Sequence, residues 1–356
     1  MARSFPGIQP KSDVLSGLAL PSRRKFLKIA GAVATIPVMA GTLRALAPQG
    51  RQYTWQLDVM GTLAELALWH NDPPVADRTI REVRAEVSHL NGIFNLFEGN
   101  SEISRLNRDG YLDTPSWELR EVLTVARSFS ELSDGAFDIT VQRLWDLYAA
   151  HFWSGTGRSR DIDGAALQVA ERLVDYRLVE ISSGRVALGR RGMGITLNSI
   201  GQGFVADRIA DMLRDRGFDH IYADLGEIRL IGESPDGRPW RIGLRDPKDP
   251  SRYGCVLDLE DIGLAVSGGY GTTFEQTGRY NHIFDPRTGL SADRMSAIAV
   301  TAPSAMIANG LATSIYVAGR EQAKRILAPY PSAKVIITTA NDEWLAFCQD
   351  GSFAAI

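Results

Sequence analysis

The chain has 356 residues, only two cysteines and a formal net charge of −3, with seven Lys/Arg and one Asp in residues 1–47. Without that segment the formal charge falls by six, to about −9, and so acidic a protein argues against nucleic acid as a partner. Cys255 and Cys348 are too few for a disulfide framework, although they suffice for one bridge.

Residues 1–47 have the features of an export signal. Residues 22–28 read SRRKFLK, an apolar run follows, and residues 45–47 form a small-residue cleavage pattern. This combination is typical of a cleaved twin-arginine signal. The alternative is a membrane anchor, but the run is shorter than the roughly 20 residues needed to cross a bilayer and contains Pro37. We therefore predict a periplasmic domain over residues 48–356, without stable membrane insertion, that folds around its ligand before export.

Strand and helix patterns alternate irregularly along the mature segment. In chain order they predict two strands within 53–69, helices over 75–94, 116–132 and 203–216, a strand pair at a sheet edge over 220–231, a strand over 240–244, and a strand over 296–302 followed by a helix over 305–318. This mixed order favours an α+β fold of mixed β-sheets with flanking helices. We expect one compact unit or two intimately joined lobes.

The segment over residues 267–289, SGGYGTTFEQTGRYNHIFDPRTG, is the strongest candidate site. It places His282 three residues before Asp285, where Asp-Pro-x-x-Gly predicts a tight turn. An imidazole in such a place can act as a general base near neutral pH. The alternative is a histidine that only hydrogen-bonds the turn, and the local residues leave both interpretations open.

Three further segments are ambiguous when each is taken alone. Gly201 and Gly203 lie just ahead of a predicted helix, whose N-terminus would favour a phosphate, although a glycine pair is weak evidence. Asn309 and Thr313 share a helix face and offer oxygen atoms that suit Mg²⁺, or they are a cap and a hydroxyl bonded back to its own helix. The sequence GAFDIT over 135–140 reads as a helix end followed by a turn.

Together these segments resemble the ApbE family of flavin transferases, which move FMN from FAD onto a Ser or Thr of a target protein with Mg²⁺. The matching segments cover nearly all of the mature chain. They are MGT at 60–62, SEISRLN at 101–107, GAFDIT at 135–140, IGQGFVADR at 200–208, ADLGEIRLIG at 223–232, PWRIGLRDP at 239–247, VSGGY at 266–270, HIFDPRTG at 282–289 and NGLAT at 309–313.

The resemblance implies a role for individual residues. His282 is implied to help deprotonate the acceptor hydroxyl, and the Gly201 carbonyl, Asn309 and Thr313 are implied to bind the metal. The implied contacts with the flavin nucleotide are Met60, Ser101, Glu102, Asp138, Gly201, Gln202, Asp207, Ser267 and His282.

Two residues depart from the family pattern. Gln202 stands where the family usually has a lysine, and Asn309 stands where it has a metal-binding aspartate. Because Asn is a weaker Mg²⁺ ligand than Asp, the resemblance implies either weaker metal binding or compensation by other groups.

The segments IGQG and DLGEIR, together with the twin-arginine pattern, resemble the NosX branch of the family. Proteins of this branch support nitrous oxide reductase by flavinylating a membrane-bound flavoprotein of the NosR type. The resemblance therefore predicts an FAD:protein FMN transferase that releases AMP. The alternatives are a non-catalytic FAD-binding carrier and an exported small-molecule-binding protein.

Overall fold

The computed structural model describes residues 50–153 and 161–356, so the predicted signal over 1–47 lies outside the described residues. The strands are β1 Arg51–Val59, β2 Thr62–His70, β3 Tyr111–Asp113, β4 Val179–Ile181, β5 Arg185–Leu188, β6 Ile221–Asp224, β7 Ile228–Ile231, β8 Trp240–Arg245, β9 Tyr253–Leu259, β10 Gly263–Ser267, β11 Ala297–Ala302, β12 Lys334–Thr338, β13 Trp344–Phe347 and β14 Phe353–Ala355. The α-helices are α1 Pro73–Phe94, α2 Glu102–Asp109, α3 Trp117–Leu132, α4 Gln142–Trp153, α5 Gly164–Glu171, α6 Gly201–Arg214, α7 Ala305–Ala318 and α8 Ala323–Leu327.

Nine strands form one antiparallel sheet in the order β1-β2-β6-β7-β10-β11-β12-β13-β14. The sheet begins with a hairpin in which Val59 pairs with Thr62 across a two-residue turn. Met60 and Gly61 both have positive φ, 51° and 84°, which is the geometry of a type I′ turn. The remaining strands form two small sheets, β3-β5-β4 and β8-β9.

Neighbouring residues on a strand face opposite sides of the sheet, and side chains pack against both sides of the large sheet. On β2, Leu66 and Leu68 belong to the main core together with the helices, whereas Ala67 packs with Trp240 of the β8–β9 hairpin. On β6, Ile221 belongs to the main core in the same way. The protein is thus a mixed α+β fold with flanking helices, as the sequence predicts.

A third, aromatic cluster supports the segment that carries His282. Tyr148 of α4 stacks edge-on against Phe284 at 4.8 Å between ring centroids, and its hydroxyl donates to the Gly289 carbonyl at 3.0 Å. Thr288 and Gly289 donate their backbone N–H groups to the Asp285 carbonyl. The predicted tight turn is therefore present and is anchored from beneath by α4.

Differences from the predicted elements bear on the site at two places. Strands β6 and β7 are fully buried in the middle of the sheet rather than at its edge, because β2 and β10 flank them. Helix α6 begins at Gly201, two residues earlier than predicted, so Gly203 lies inside its first turn. A Cβ on Gly203 would meet the Ala305 carbonyl oxygen at 2.6 Å, so this glycine is needed where α6 meets the backbone of α7.

The structure also bears on the two cysteines and on membrane insertion. Cys255 and Cys348 are both free thiols, so the bridge that the sequence allowed is not formed. Within residues 50–153 and 161–356, no helix combines the length and apolar character that a membrane span requires.

We expect Gly203→Ala to lower the free energy of unfolding by about 1–3 kcal/mol, because a methyl group there collides with backbone that cannot rotate away. The matched control is Gly92→Ala in α1, where an added Cβ meets nothing within 4 Å. That change should stabilise the helix by about 0.5–1 kcal/mol. Denaturant unfolding of both variants measures the difference, and equal effects would contradict the packing role of Gly203.

Candidate functional site

A cavity of about 230 Å³ lies where the β1–β2 turn, the β6–β7 turn and the first turns of α6 and α7 meet. Its wall includes Met60, Asp138, Gln202, Asp224, Glu227, Ser267, His282, Asn309 and Thr313. Three of these side chains are carboxylic acids, and none of the cavity-lining residues is Lys or Arg. An anionic ligand would therefore need positive charge from a source other than the side chains of the wall.

His282 is held by the chain ten residues before it. Its backbone N–H donates to the Thr272 carbonyl at 3.1 Å, and its ring Nδ1 lies 3.2 Å from the same oxygen. A carbonyl oxygen only accepts, so Nδ1 carries the ring proton and the Nε2 lone pair is left available. Burial lowers the pKa of His282 to about 4, so the ring is neutral at pH 7. The interpretation in which His282 only bonds the Asp285 turn does not match this geometry.

The N-terminus of α6 lies at the cavity wall, since Asn198, Ser199 and Gln202 all line the cavity. A helix N-terminus carries partial positive charge, which favours a phosphate. The Gly201 N–H is already bonded to the Leu197 carbonyl at 2.6 Å. Gln202 Nε2 donates to Thr62 Oγ1 at 2.8 Å, which fixes the amide against the β1–β2 hairpin. Because the Gln202 amide is neutral, the positive charge that α6 presents to the cavity is that of its N-terminus.

Asn309 and Thr313 of α7 line the cavity from the opposite helix, as the spacing of four predicts. Asn309 Nδ2 donates to Glu227 Oε1 at 2.6 Å. Asn309 Oδ1 is buried and has no hydrogen-bond partner among the described residues. Asn309 is not a helix cap, because Ser304 is the N-cap of α7. An unpaired amide oxygen beside Thr313 fits the oxygen chemistry that a hard cation requires.

The three carboxyl groups of the wall differ in how they are held. Both oxygens of Asp138 accept hydrogen bonds, from Thr140 and from the Tyr176 N–H, and burial still raises its pKa to about 6. Burial raises the pKa of Asp224 to about 7. Burial, followed by the neighbouring Asp224, raises the pKa of Glu227 well above its ordinary value. Negative charge on this wall is therefore costly unless a cation compensates it.

Four residues of the predicted site are absent from the cavity lining, and their contacts are structural. Ser101 caps α2 by accepting from the Ser104 N–H, and Glu102 accepts from the backbone N–H and hydroxyl of Ser116. Gly201 begins α6, where an added Cβ would meet the Met60 side chain.

Asp207 is the fourth of these residues. It accepts from the N–H groups of Ala305 and Met306 and from the Ser304 hydroxyl, and it pairs with Arg229 at 3.3 Å. Each of these Asp207 contacts lies within the protein and holds the start of α7.

The site residues that the sequence reasoning missed are Asp224, Glu227 and Thr62. Asp224 and Glu227 flank the turn between two apolar runs, in ADLGEIRLI. The signal that could have found them is a pair of acidic residues, one at the end of an otherwise apolar strand and one directly before the next strand, because a buried carboxylate needs a specific partner.

Asp207→Ala should lower the free energy of unfolding by about 3–5 kcal/mol, since it leaves Arg229 buried without its partner and uncaps α7. The affinity of the folded protein for FAD should be preserved. Denaturant unfolding and flavin fluorescence titration measure the two quantities. Asp211→Ala, which removes an exposed ion pair with Arg214 on the same helix, should change stability little. A large loss of FAD affinity in folded Asp207→Ala would instead support the direct contact predicted from the sequence.

Known proteins resemble this chain along most of its length. The ApbE family profile matches residues 60–337. The FAD:protein FMN transferase of Haemophilus influenzae is 29% identical over 285 residues, covering 75% of this chain and 80% of the relative. The Vibrio cholerae protein of the same name is 28% identical over 294 residues, covering 80% and 86%.

Solved structures show the same fold. The ApbE protein of Thermotoga maritima superposes with a TM-score of 0.72 at 24% identity, covering 83% of this chain and 96% of that one. The apo flavinyl transferase ApbE of Pseudomonas stutzeri superposes with a TM-score of 0.68 at 25% identity, covering 81% and 92%. With a family match that spans most of the sequence and a shared fold, this chain belongs to the ApbE family.

Proposed function

We propose that this protein is an FAD:protein FMN transferase. An acceptor Ser or Thr hydroxyl attacks the phosphorus of the FMN half of FAD, the new P–O bond forms a phosphoester, and the pyrophosphate P–O bond breaks to release AMP. The hydroxyl proton must leave during this step. The observation that carries the proposal is His282 on the wall of the same cavity as a helix N-terminus and the unpaired Asn309 Oδ1 atom.

His282 is the residue that takes the hydroxyl proton in this proposal. The Thr272 carbonyl holds the ring in the tautomer that leaves Nε2 free to accept. Because burial keeps the ring neutral at pH 7, no prior deprotonation is needed. The low pKa makes it a modest base, so its contribution rests chiefly on position.

The proposal includes a divalent cation, Mg²⁺. The buried, unpaired Oδ1 of Asn309 and the nearby Thr313 fit such an ion. When bound, Mg²⁺ would neutralise the pyrophosphate oxygens and the AMP leaving group. The N–H groups at the start of α6 would bind the same phosphates, and Gln202 would keep that turn against the hairpin. The Gly201 carbonyl remains a predicted metal ligand.

We further propose that the protein belongs to the NosX branch, works in the periplasm and modifies a membrane-bound flavoprotein of the NosR type, thereby supporting nitrous oxide reduction. The twin-arginine pattern supports export, and the IGQG and DLGEIR segments support the branch. The acidic mature surface supports a protein rather than a nucleic acid as partner.

Mass spectrometry of the acceptor tests the function. The mature protein is mixed with FAD, Mg²⁺ and the flavin domain of a NosR-type protein, and the acceptor is expected to gain the mass of one covalently bound FMN while AMP appears in solution. The lack of Lys and Arg on the cavity wall also suits a carrier that binds FAD without transfer. Recovery of intact FAD and an unmodified acceptor would favour the carrier.

His282→Ala is expected to slow transfer by about 10²–10⁴-fold, the usual cost of removing a general base, while FAD remains bound. Single-turnover transfer measured together with FAD affinity separates the two effects. The matched control is His89→Ala, which removes an exposed imidazole bonded to Glu118 on α3. Transfer at the wild-type rate in His282→Ala would show that the ring is structural.

The His282 ring is expected to titrate near pH 4 rather than near 6.5, because burial disfavours the imidazolium. Its charge therefore appears only as the pH falls well below 6, and the neutral base persists above that range. Nitrogen NMR of the ring, assigned by its loss in His282→Gln, measures the midpoint. A midpoint near 6.5 would contradict a buried, neutral ring.

A further inference from the structure

Glu227 has a position that neither the sequence pattern nor the comparisons assign to the site. It lies in the turn between β6 and β7, is 7% exposed and lines the cavity. Its carboxyl group accepts hydrogen bonds from the Val266 backbone N–H and from Asn309 Nδ2, the latter at 2.6 Å. A fixed carboxyl group therefore touches an α7 side chain whose buried amide oxygen is unpaired.

The bond between these two side chains decides which way the Asn309 amide faces. The Asn309 Nδ2 group donates to Glu227 Oε1, so the NH₂ group of the amide faces Glu227. The Oδ1 atom is consequently turned away from Glu227, and it has no partner among the described residues although Asn309 is 3% exposed. A buried amide oxygen without a partner is unfavourable unless a ligand completes it.

The charges of the wall point to the kind of ligand. Asp224 and Glu227 are neighbours, and no Lys or Arg lines the cavity. The buried Arg229 pairs with Asp207 beneath the start of α7 instead. The site needs a partner for Asn309 Oδ1 and positive charge beside the carboxyl groups. A divalent cation would supply both, because it binds amide and hydroxyl oxygens and offsets carboxylate charge.

We propose that Glu227 supplies the negative charge of the divalent-cation site and orients Asn309 Oδ1 toward the ion. This inference rests on the proposed transferase function, and it deepens that function by naming the residue that stands in for a carboxylate at position 309. Within the described residues no cluster of three or more His, Cys, Asp or Glu forms a metal site on its own. The remaining ligands of the ion would come from the phosphates of FAD, as is usual for Mg²⁺.

The test is Mn²⁺ binding to the FAD-loaded protein, with free Mn²⁺ followed by electron paramagnetic resonance. Glu227→Gln removes the charge but keeps an oxygen that can accept from Asn309. We expect at least about tenfold weaker Mn²⁺ binding, the usual cost of losing a group that supports a metal ligand. Glu260→Gln, which removes an exposed carboxylate on the surface, is the matched control and should bind Mn²⁺ as the wild type does.

A double variant that exchanges the carboxyl and amide groups between the two positions extends the test. The double variant Glu227→Gln with Asn309→Asp moves the carboxylate across the hydrogen bond, so Mn²⁺ affinity should return to within about threefold of the wild type if the pair acts as a unit. Asn309→Asp alone brings two carboxylates together at the 2.6 Å contact. It should lower the thermal unfolding midpoint in the absence of metal, and saturating Mn²⁺ should restore that midpoint.

The outcomes separate the two proposals. If the wild-type protein with FAD binds no Mn²⁺, the cation in the proposed function is wrong. If the wild type binds Mn²⁺ and Glu227→Gln binds it equally well, the role of Glu227 is overturned while the transferase remains. Should Glu227→Gln fail to fold, the double variant decides, because restored binding supports the inference and absent binding overturns it.

Discussion

The contact between α6 and α7 is the constraint on which the site depends. Gly203 lets the first turn of α6 approach the backbone of α7, and Asp207, one turn further along, accepts the hydrogen bonds that begin α7. Arg229 of β7 pairs with the same carboxylate, so both helices are tied to the middle of the sheet. This junction places Gln202 and Asn309 on one cavity wall.

The wall of the cavity is acidic, whereas the substrate of the proposed reaction is an anion. The lining side chains include three carboxylic acids and no Lys or Arg, so in the proposed function the positive charge for a pyrophosphate would come from backbone N–H groups and a cation. Both are sources of positive charge that add no long flexible side chain. The hydrogen bond between Glu227 and Asn309 joins the sheet to α7 at the point where such a cation would bind.

Much of the local structure could be predicted from the sequence. The bounds of α7 agree with the prediction over 305–318, Ser116 caps α3 as expected, and the turn after Asp285 is present. Met60, Gln202, Ser267, His282, Asn309 and Thr313 all line one cavity. These features depend on residues a few positions apart, or on a family pattern that runs along the whole chain, so the sequence carries their signal directly.

Other features were decided only by the tertiary structure. Glu227 and Asn309 are 82 residues apart, and Asp207 and Ala305 are 98 apart. Nothing near Asp207 distinguishes a carboxylate that binds a ligand from one that binds the start of a distant helix, which is why the sequence does not reveal its contacts with α7. The sequence by itself determined the turns, the helix caps and the order of the motifs, because their hydrogen bonds close over short loops. The partner of each buried polar group was decided by folding, since such groups pair with whatever polar atoms the packed strands and helices bring beside them.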